Sequence, residues 1–430
     1  MHSDHAKITR ERTSRPWLWV PSIYLAEGIP YMIAMTVSVI MYKKLGLSNT
    51  QIALYTGWLY LPWVIKPLWS PFVDLFRTKR FWILAMQLAI GASFACVALT
   101  LPATDFVRYS LAMFWIMAFS SATHDIAADG FYMLGLNTPQ QAAFVGVRTV
   151  FYRVATIASK GGLVIMAGVL ENYGYPVARA WSITFIVLAA FFLALFIYNI
   201  FVLPYPATDV NAPRDKTKNF IAEYFRILTL FFRRKDILII ICFFLFYRFA
   251  EAQLVKMVAP FLLDARIKGG LGLTTAEVGW IYGTVGVVAL MLGGLLGGYV
   301  VYKKGLKFWL WPMVLIMHLP DLIFVYLSHV LPESLWLIGS AVALEQFGYG
   351  FGFTAYTMYM IMVSQGEYKT VFYAIGTGIM ALGMMLPAMA SGWIQEMLGY
   401  KNFFIWITIT TIPGFIVAAL VKIDPEYGKK

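Results

Sequence analysis

Apolar stretches of about twenty residues, separated by short polar loops, recur along almost the whole chain. A hydrocarbon core of about 30 Å is crossed by about 20 helical residues, and a helix satisfies its own backbone where water cannot. The pattern therefore predicts an all-α membrane protein of twelve transmembrane helices, over 17–41, 51–72, 80–101, 107–135, 141–169, 179–203, 236–263, 277–302, 308–328, 333–362, 370–394 and 402–421. One interruption is longer. Residues 204–235 carry Pro204, Pro206, Pro213 and a run of charges, and the second part, 220–232, is expected to lie as an amphipathic helix on the membrane surface. The chain thus reads as a tail 1–16, a six-helix bundle 17–203, a linker 204–235, a second six-helix bundle 236–422 and a tail 423–430.

The two bundles repeat each other. Leu45-Gly46-Leu47-Ser48-Asn49-Thr50-Gln51-Ile52 returns as Leu271-Gly272-Leu273-Thr274-Thr275-Ala276-Glu277-Val278, an offset of 226. Arg80-Phe81-Trp82 returns as Lys307-Phe308-Trp309 at 227, and Glu171-Asn172-Tyr173-Gly174-Tyr175 as Glu396-Met397-Leu398-Gly399-Tyr400 at 225. A constant offset at equivalent points of the helix count argues for duplication. Parallel halves related by an axis along the membrane normal are the major facilitator architecture, with the site between the halves.

Composition agrees with the membrane reading: 60% of residues are hydrophobic and 13% charged. The net charge of +12 raises the question of nucleic acid, but the distribution of the basic residues excludes it. With the N-terminus inside, 21 Lys and Arg fall on the side of the termini and 7 on the other. Positive charge stays in the cytoplasm, so both termini are expected there, in a multi-pass inner-membrane protein that touches lipid and acts as a monomer. The first apolar run lacks a small-x-small cleavage pattern and reads as the first membrane helix. Cys96 and Cys242 lie in different halves, so no disulfide, metal or other cofactor is expected.

Candidate chemistry lies in the charges within the spans. An ionisable side chain near the bilayer centre costs at least about 2.5–3.5 kcal/mol, so such residues usually face a protein interior or a wet cavity. Asp125 and Asp129 in span 4 are one helical turn apart, beside His124; Glu27 stands next to Gly28-Ile29-Pro30, where a broken helix is expected; Glu251 is in span 7. These four acids are the candidate proton carriers. Arg148, Arg153, Arg248 and Lys256 would suit carboxylates or phosphates. Tyr24, Tyr31, Tyr349, Tyr356 and Tyr359 could stack on sugar or ring faces, and His124, Glu345 and Gln346 complete the candidate substrate set. Arg248 and Glu251, three apart, could instead neutralise each other. Lys66, Asp74 and Arg77 at the end of span 2 are read as a gate latch on the cytoplasmic side. Asp321 has no assigned role. No HExxH, GxSxG, P-loop or paired-cysteine pattern supports an enzyme.

Together these motifs resemble the AmpG-type muropeptide permeases, related to the acetyl-CoA transporters of the same superfamily. Gly28-Ile29-Pro30, the run from Lys66-Pro67-Leu68-Trp69-Ser70-Pro71 to Asp74, His124-Asp125-Ile126-Ala127-Ala128-Asp129, Tyr247-Arg248-Phe249-Ala250-Glu251-Ala252 and Glu345-Gln346 with Gly350, Gly352 and Ala355 carry the resemblance. The chain departs from the family pattern at His124, Glu27 and Ala250-Glu251. The resemblance implies proton-coupled import of disaccharide-anhydro peptides, small anionic glycopeptides, with Asp125, Asp129, Arg248, Glu251 and Glu345 handling substrate or protons. It also implies a cavity formed by spans 1, 4, 7 and 10. An acyl-CoA or other organic anion is the alternative cargo.

Overall fold

Each apolar stretch folds as a helix that crosses the molecule, because only internal hydrogen bonding satisfies a backbone surrounded by hydrocarbon. A computed structural model describes residues 15–136, 138–206, 209, 222, 226, 228–365 and 369–428; the side chains at 71, 74, 75, 138, 139, 142, 143, 145, 369 and 370 lie outside that description. We label the spans α1 (Pro16–Lys44), α2 (49–75), α3 (Lys79–Thr100), α4 (Phe106–Gly135), α5 (138–172), α6 (Val177–Val202), α7 (Ile237–Leu263), α8 (Thr275–Lys304), α9 (Leu306–Val330), α10 (Leu335–Val363), α11 (369–398) and α12 (400–420). The expected surface helix over 220–232 lies largely outside the described residues.

The duplication is structural as well as textual. Ser48 caps α2 in a capping box with Gln51, and Thr274 caps α8 in a capping box with Glu277, at the same offset of 226. The glycines just ahead of these caps, Gly46 (φ +90°) and Gly272 (φ +70°), take the left-handed turn that a side chain would strain.

Two local expectations change. Helix α1 does not break at Gly28-Ile29-Pro30. It continues through them and widens into a π turn only at Ile33–Val37. Gly28 serves packing instead, since a Cβ there would meet Ala155 Cβ at 2.7 Å, so its absence lets α1 and α5 approach. The end of α2 is likewise helical through Leu75, with the turn after it, which puts Lys66 inside the membrane part of the molecule.

The halves meet along two related seams, α2 against α11 and α5 against α8. Glycines make both close: Gly57 faces Met389, Gly392 faces the Asn49 carbonyl, Gly168 faces Ala276, and Gly283 faces the Lys160 carbonyl, each without room for a Cβ. At the face away from the termini, hereafter the distal face, polar clasps join the seams. Glu396 accepts from the Thr50 amide (3.0 Å) and hydroxyl (2.5 Å), and Glu171 accepts from the Thr275 hydroxyl (2.7 Å) and pairs with Lys44 (3.1 Å). Lys43 reaches Asp264 at 2.7 Å, and Tyr400 donates to the same carboxylate at 2.6 Å. The distal face is closed.

Candidate functional site

Between the halves lies a cavity of about 560 Å³, within the range that holds a small ligand. It opens toward the face bearing the termini, where the side chains of Arg148 and Asp129 remain 35% and 39% exposed. Helices α1, α2, α5, α7, α8, α10 and α11 supply the walls, and α4 adds Asp125. The expected set of spans 1, 4, 7 and 10 is therefore too narrow. The crossing helices α2, α5, α8 and α11 contribute because they form the seams that converge above the cavity.

One wall is an acid–base group. Glu27, Asp125 and Asp129 bring carboxylate oxygens within 4.8 Å of one another. Lys66 forms a short ion pair with Asp125, and Arg148 pairs with Asp129 at 2.8 Å. Tyr24 donates to Asp129 at 3.4 Å, and its ring lies 4.7 Å from the Arg148 guanidinium carbon. Glu27 stands beside Asp125 and Asp129 and keeps one carboxylate oxygen buried without a hydrogen-bond partner. Three acids against two bases leave one negative charge in the group.

The facing wall is aromatic and cationic. Arg248 donates to the Tyr349 hydroxyl, and its guanidinium carbon stands 4.7 Å from the Phe353 ring centre. The expected pairing of Arg248 with Glu251 does not form, because the guanidinium turns into the cavity while the carboxylate turns into the second half. Tyr31 and Trp63 pack edge to face at 5.2 Å on the adjoining wall. Arg153 lines the cavity and makes no ion pair among the described residues.

Other expected site residues lie elsewhere. His124 is fully buried behind Asp125, one residue and about 100° around the helix, where its Nε2 meets the Gln87 amide at 3.2 Å in a chain continuing to Asn199 and Ser22. It is a core histidine, not a substrate contact. Lys256, 3% exposed, donates to Thr56 at 2.9 Å between α7 and α2 and does not line the cavity. Tyr356 and Tyr359 pack with Phe243 rather than face the cavity. Glu251 and Glu345 are buried in the second half, while Gln346 and Tyr349 reach the cavity. Lys66 belongs to the cavity group, not to a latch. Arg77 is exposed at the end of α2, and the side chain of Asp74 lies outside the described residues. Tyr60, Trp63, Tyr152, Lys160, Tyr282 and Tyr373 also line the cavity; none entered the candidate set. Lys160 carried the available signal, an ionisable residue in an apolar span.

Twelve spans in two repeated halves around a polar central cavity define a multi-pass membrane transporter. Residues 22–364 match the model of the Major Facilitator Superfamily, and the chain belongs to that family. It is 24% identical over 416 residues to the anhydromuropeptide permease of Escherichia coli (strain K12), covering 94% of this chain and 79% of the relative. Its fold is similar to that of a D-xylose-proton symporter, with a TM-score of 0.69, 13% identity and coverage of 96% and 98% of the two chains. It is also similar to a POT family transporter in complex with a thioalcohol conjugated peptide, with a TM-score of 0.70, 11% identity and coverage of 93% and 95%.

Proposed function

We propose that this transporter imports muropeptides, disaccharide-anhydro peptides, across the inner membrane by alternating access, coupled to protons. The observation that carries the reading is the cavity's division into an acid–base wall and a cationic, aromatic wall. Arg153 and Arg248 form no ion pair with an acid among the described residues and suit the carboxylates of an anionic glycopeptide, since guanidinium groups bind carboxylates in fork geometry. The rings of Tyr31, Trp63 and Tyr349 offer flat surfaces for sugar faces. The relation to a permease of anhydromuropeptides supports this cargo.

The single negative charge left in the Glu27, Asp125 and Asp129 group is what one proton neutralises. Glu27 is the carrier in this reading, because the other two acids each hold a cation. Substrate near Arg148 would weaken that hold and alter the proton's binding energy, which is how two cargoes become linked. With the termini in the cytoplasm, the closed distal face is periplasmic. The protein acts as a monomer, each chain containing a whole cavity.

Uptake of radiolabelled anhydromuropeptide into vesicles, with and without an inward proton gradient, tests the reading. Accumulation requires the gradient; equal accumulation without it refutes the coupling. Unlabelled CoA esters fail to compete if the cargo is a muropeptide.

A further inference from the structure

Beneath the distal clasps, a line of polar groups runs down the seam between α2 and the second half as far as the cavity. Asn49, Thr56 and Tyr60 lie on one face of α2, at spacings of seven and four residues. Asn49 donates to Gln395 at 2.5 Å and to the Tyr400 hydroxyl at 2.9 Å, and Tyr400 meets Asp264, the partner of Lys43. About 10 Å further down the helix, Thr56 accepts from the Lys256 ammonium at 2.9 Å. Tyr60 lines the cavity and holds its ring centre 5.7 Å from the same ammonium. Lys256 stands on α7, eight residues and about 12 Å below Asp264. It belongs to the plug that separates the distal face from the cavity.

The plug serves this lysine poorly. Lys256 is 3% exposed, forms no ion pair among the described residues and makes one hydrogen bond, to a neutral hydroxyl. That hydroxyl is itself engaged, donating to the Ile52 carbonyl at 2.7 Å. An ammonium has three N–H donors, so two are left over. A buried charge without an opposite charge is expensive, and an apolar side chain of similar length would fill the space at lower cost. Lys66 shows what a buried lysine otherwise has, a carboxylate partner in Asp125.

The other access state supplies what is missing. Opening the distal face separates Lys43 from Asp264 and Thr50 from Glu396, and the same displacement carries α7 away from α2. Lys256 then faces water on the route from the distal face to Tyr60, with its donors free.

We propose that Lys256 receives a carboxylate of the incoming cargo while the distal face is open, and that Thr56 holds the ammonium once that face has closed. The inference rests on the reading of the cargo as an anionic glycopeptide. Closure returns Lys256 to Thr56 and releases the carboxylate to Arg153 and Arg248, which line the cavity below.

The test uses the full chain with Lys256→Cys in a background of Cys96→Ser and Cys242→Ser. In detergent, a water-soluble methanethiosulfonate reaches the introduced thiol while the distal seam is open, so its rate follows the open population. Adding Glu171→Gln and Glu396→Gln, with opening checked by a spin-label distance across the distal face, speeds the reaction by about tenfold or more. Anhydromuropeptide slows it, which it would not do at a lysine that only packs the seam. In vesicles, Lys256→Gln raises KM for anhydromuropeptide by about 10–100-fold, the value of a charge-assisted hydrogen bond. Treating Lys256→Cys with the aminoethyl reagent restores an ammonium and recovers uptake; the sulfonatoethyl and methyl reagents do not. If these variants fail to fold, acylation of Lys256 itself by a water-soluble ester, read by mass spectrometry with and without the two clasp substitutions, makes the same comparison. Modification no faster in an opened chain, no protection by anhydromuropeptide, or an unchanged KM in Lys256→Gln would each overturn the proposal. Any of these with uptake by the unaltered protein intact overturns this proposal alone; an unaltered protein that takes up no anhydromuropeptide refutes the cargo reading, and this proposal with it.

Discussion

The distal clasps should set the balance between the two access states, and their strength can be worked out. Glu171 has a side chain 12% exposed, pairs with Lys44 and accepts from Thr275. Lys44 and Glu171 both belong to the first half, so only the Thr275 bond crosses the seam, and Glu171→Gln, by removing the charge from that bond, should weaken closure by about 1–2 kcal/mol. Glu396 is exposed, so its contacts with Thr50 are screened and Glu396→Gln should cost about 0.5 kcal/mol. The double variant then shifts the closed-to-open ratio by about 2 kcal/mol, roughly thirtyfold. The assay is a spin-label distance across the distal face, between cysteines replacing Tyr173 and Ile267, which are 80% and 96% exposed, in a background with Cys96→Ser and Cys242→Ser. A longer-distance population should grow in the double variant. A distance distribution unchanged by the double substitution refutes the clasp.

Three further outcomes follow from the cavity and its surroundings. Arg153→Gln should raise KM for anhydromuropeptide by about 10–100-fold with little change in folding, the value of a charge-assisted hydrogen bond; unaltered uptake kinetics would remove Arg153 from the site. Asp125→Asn should lower the unfolding midpoint because it strands Lys66, whereas Lys66→Met with Asp125→Leu should recover it and still abolish uptake; a double variant as unstable as the single one would refute that coupling. Lys256→Met should raise stability by about 1–3 kcal/mol, since the ammonium has one hydrogen bond and no acidic partner among the described residues; a lowered midpoint in thermal unfolding would count against the assignment.

The helices were legible because hydrocarbon imposes one pattern, twenty apolar residues at a time. The duplication was legible too, and it already held the clasps: Glu171 and Glu396 recur at 225, and their partners Thr275 and Thr50 lie one and two residues past the matching caps Thr274 and Ser48. Which side chains share the cavity was less legible. His124 and Asp125 are neighbours in sequence, but helical rotation sends one into the bundle and the other into the cavity. Lys66 falls within the expected span 51–72 but was grouped with Asp74 and Arg77 at its end; the helix continues to Leu75, and Lys66, nine residues before that end, turns to Asp125 instead. Asp321 was unreadable because a 3₁₀ turn at Leu319–Asp321 interrupts α9 and directs the carboxylate toward α7 and α10. A proline followed by an acid within an apolar span was the available signal.

The two acid groups start from related positions and end with different surroundings. Glu27 and Glu251 are separated by 224 residues, close to the repeat, and occupy matching places on α1 and α7. In the first half the partner acids come from α4, and each is met by a cation in a cavity that opens to water. In the second half the partners come from α9 and α10, no lysine or arginine pairs with them among the described residues, and the group is dry. Duplication accounts for the recurring carboxylate, while the later choice of neighbours decides what balances it. A water-facing group can exchange a proton throughout the open state, but a sealed one can do so only when the seam between α5 and α8 parts. Two such groups in one chain would therefore respond to opposite steps of the same rocking motion.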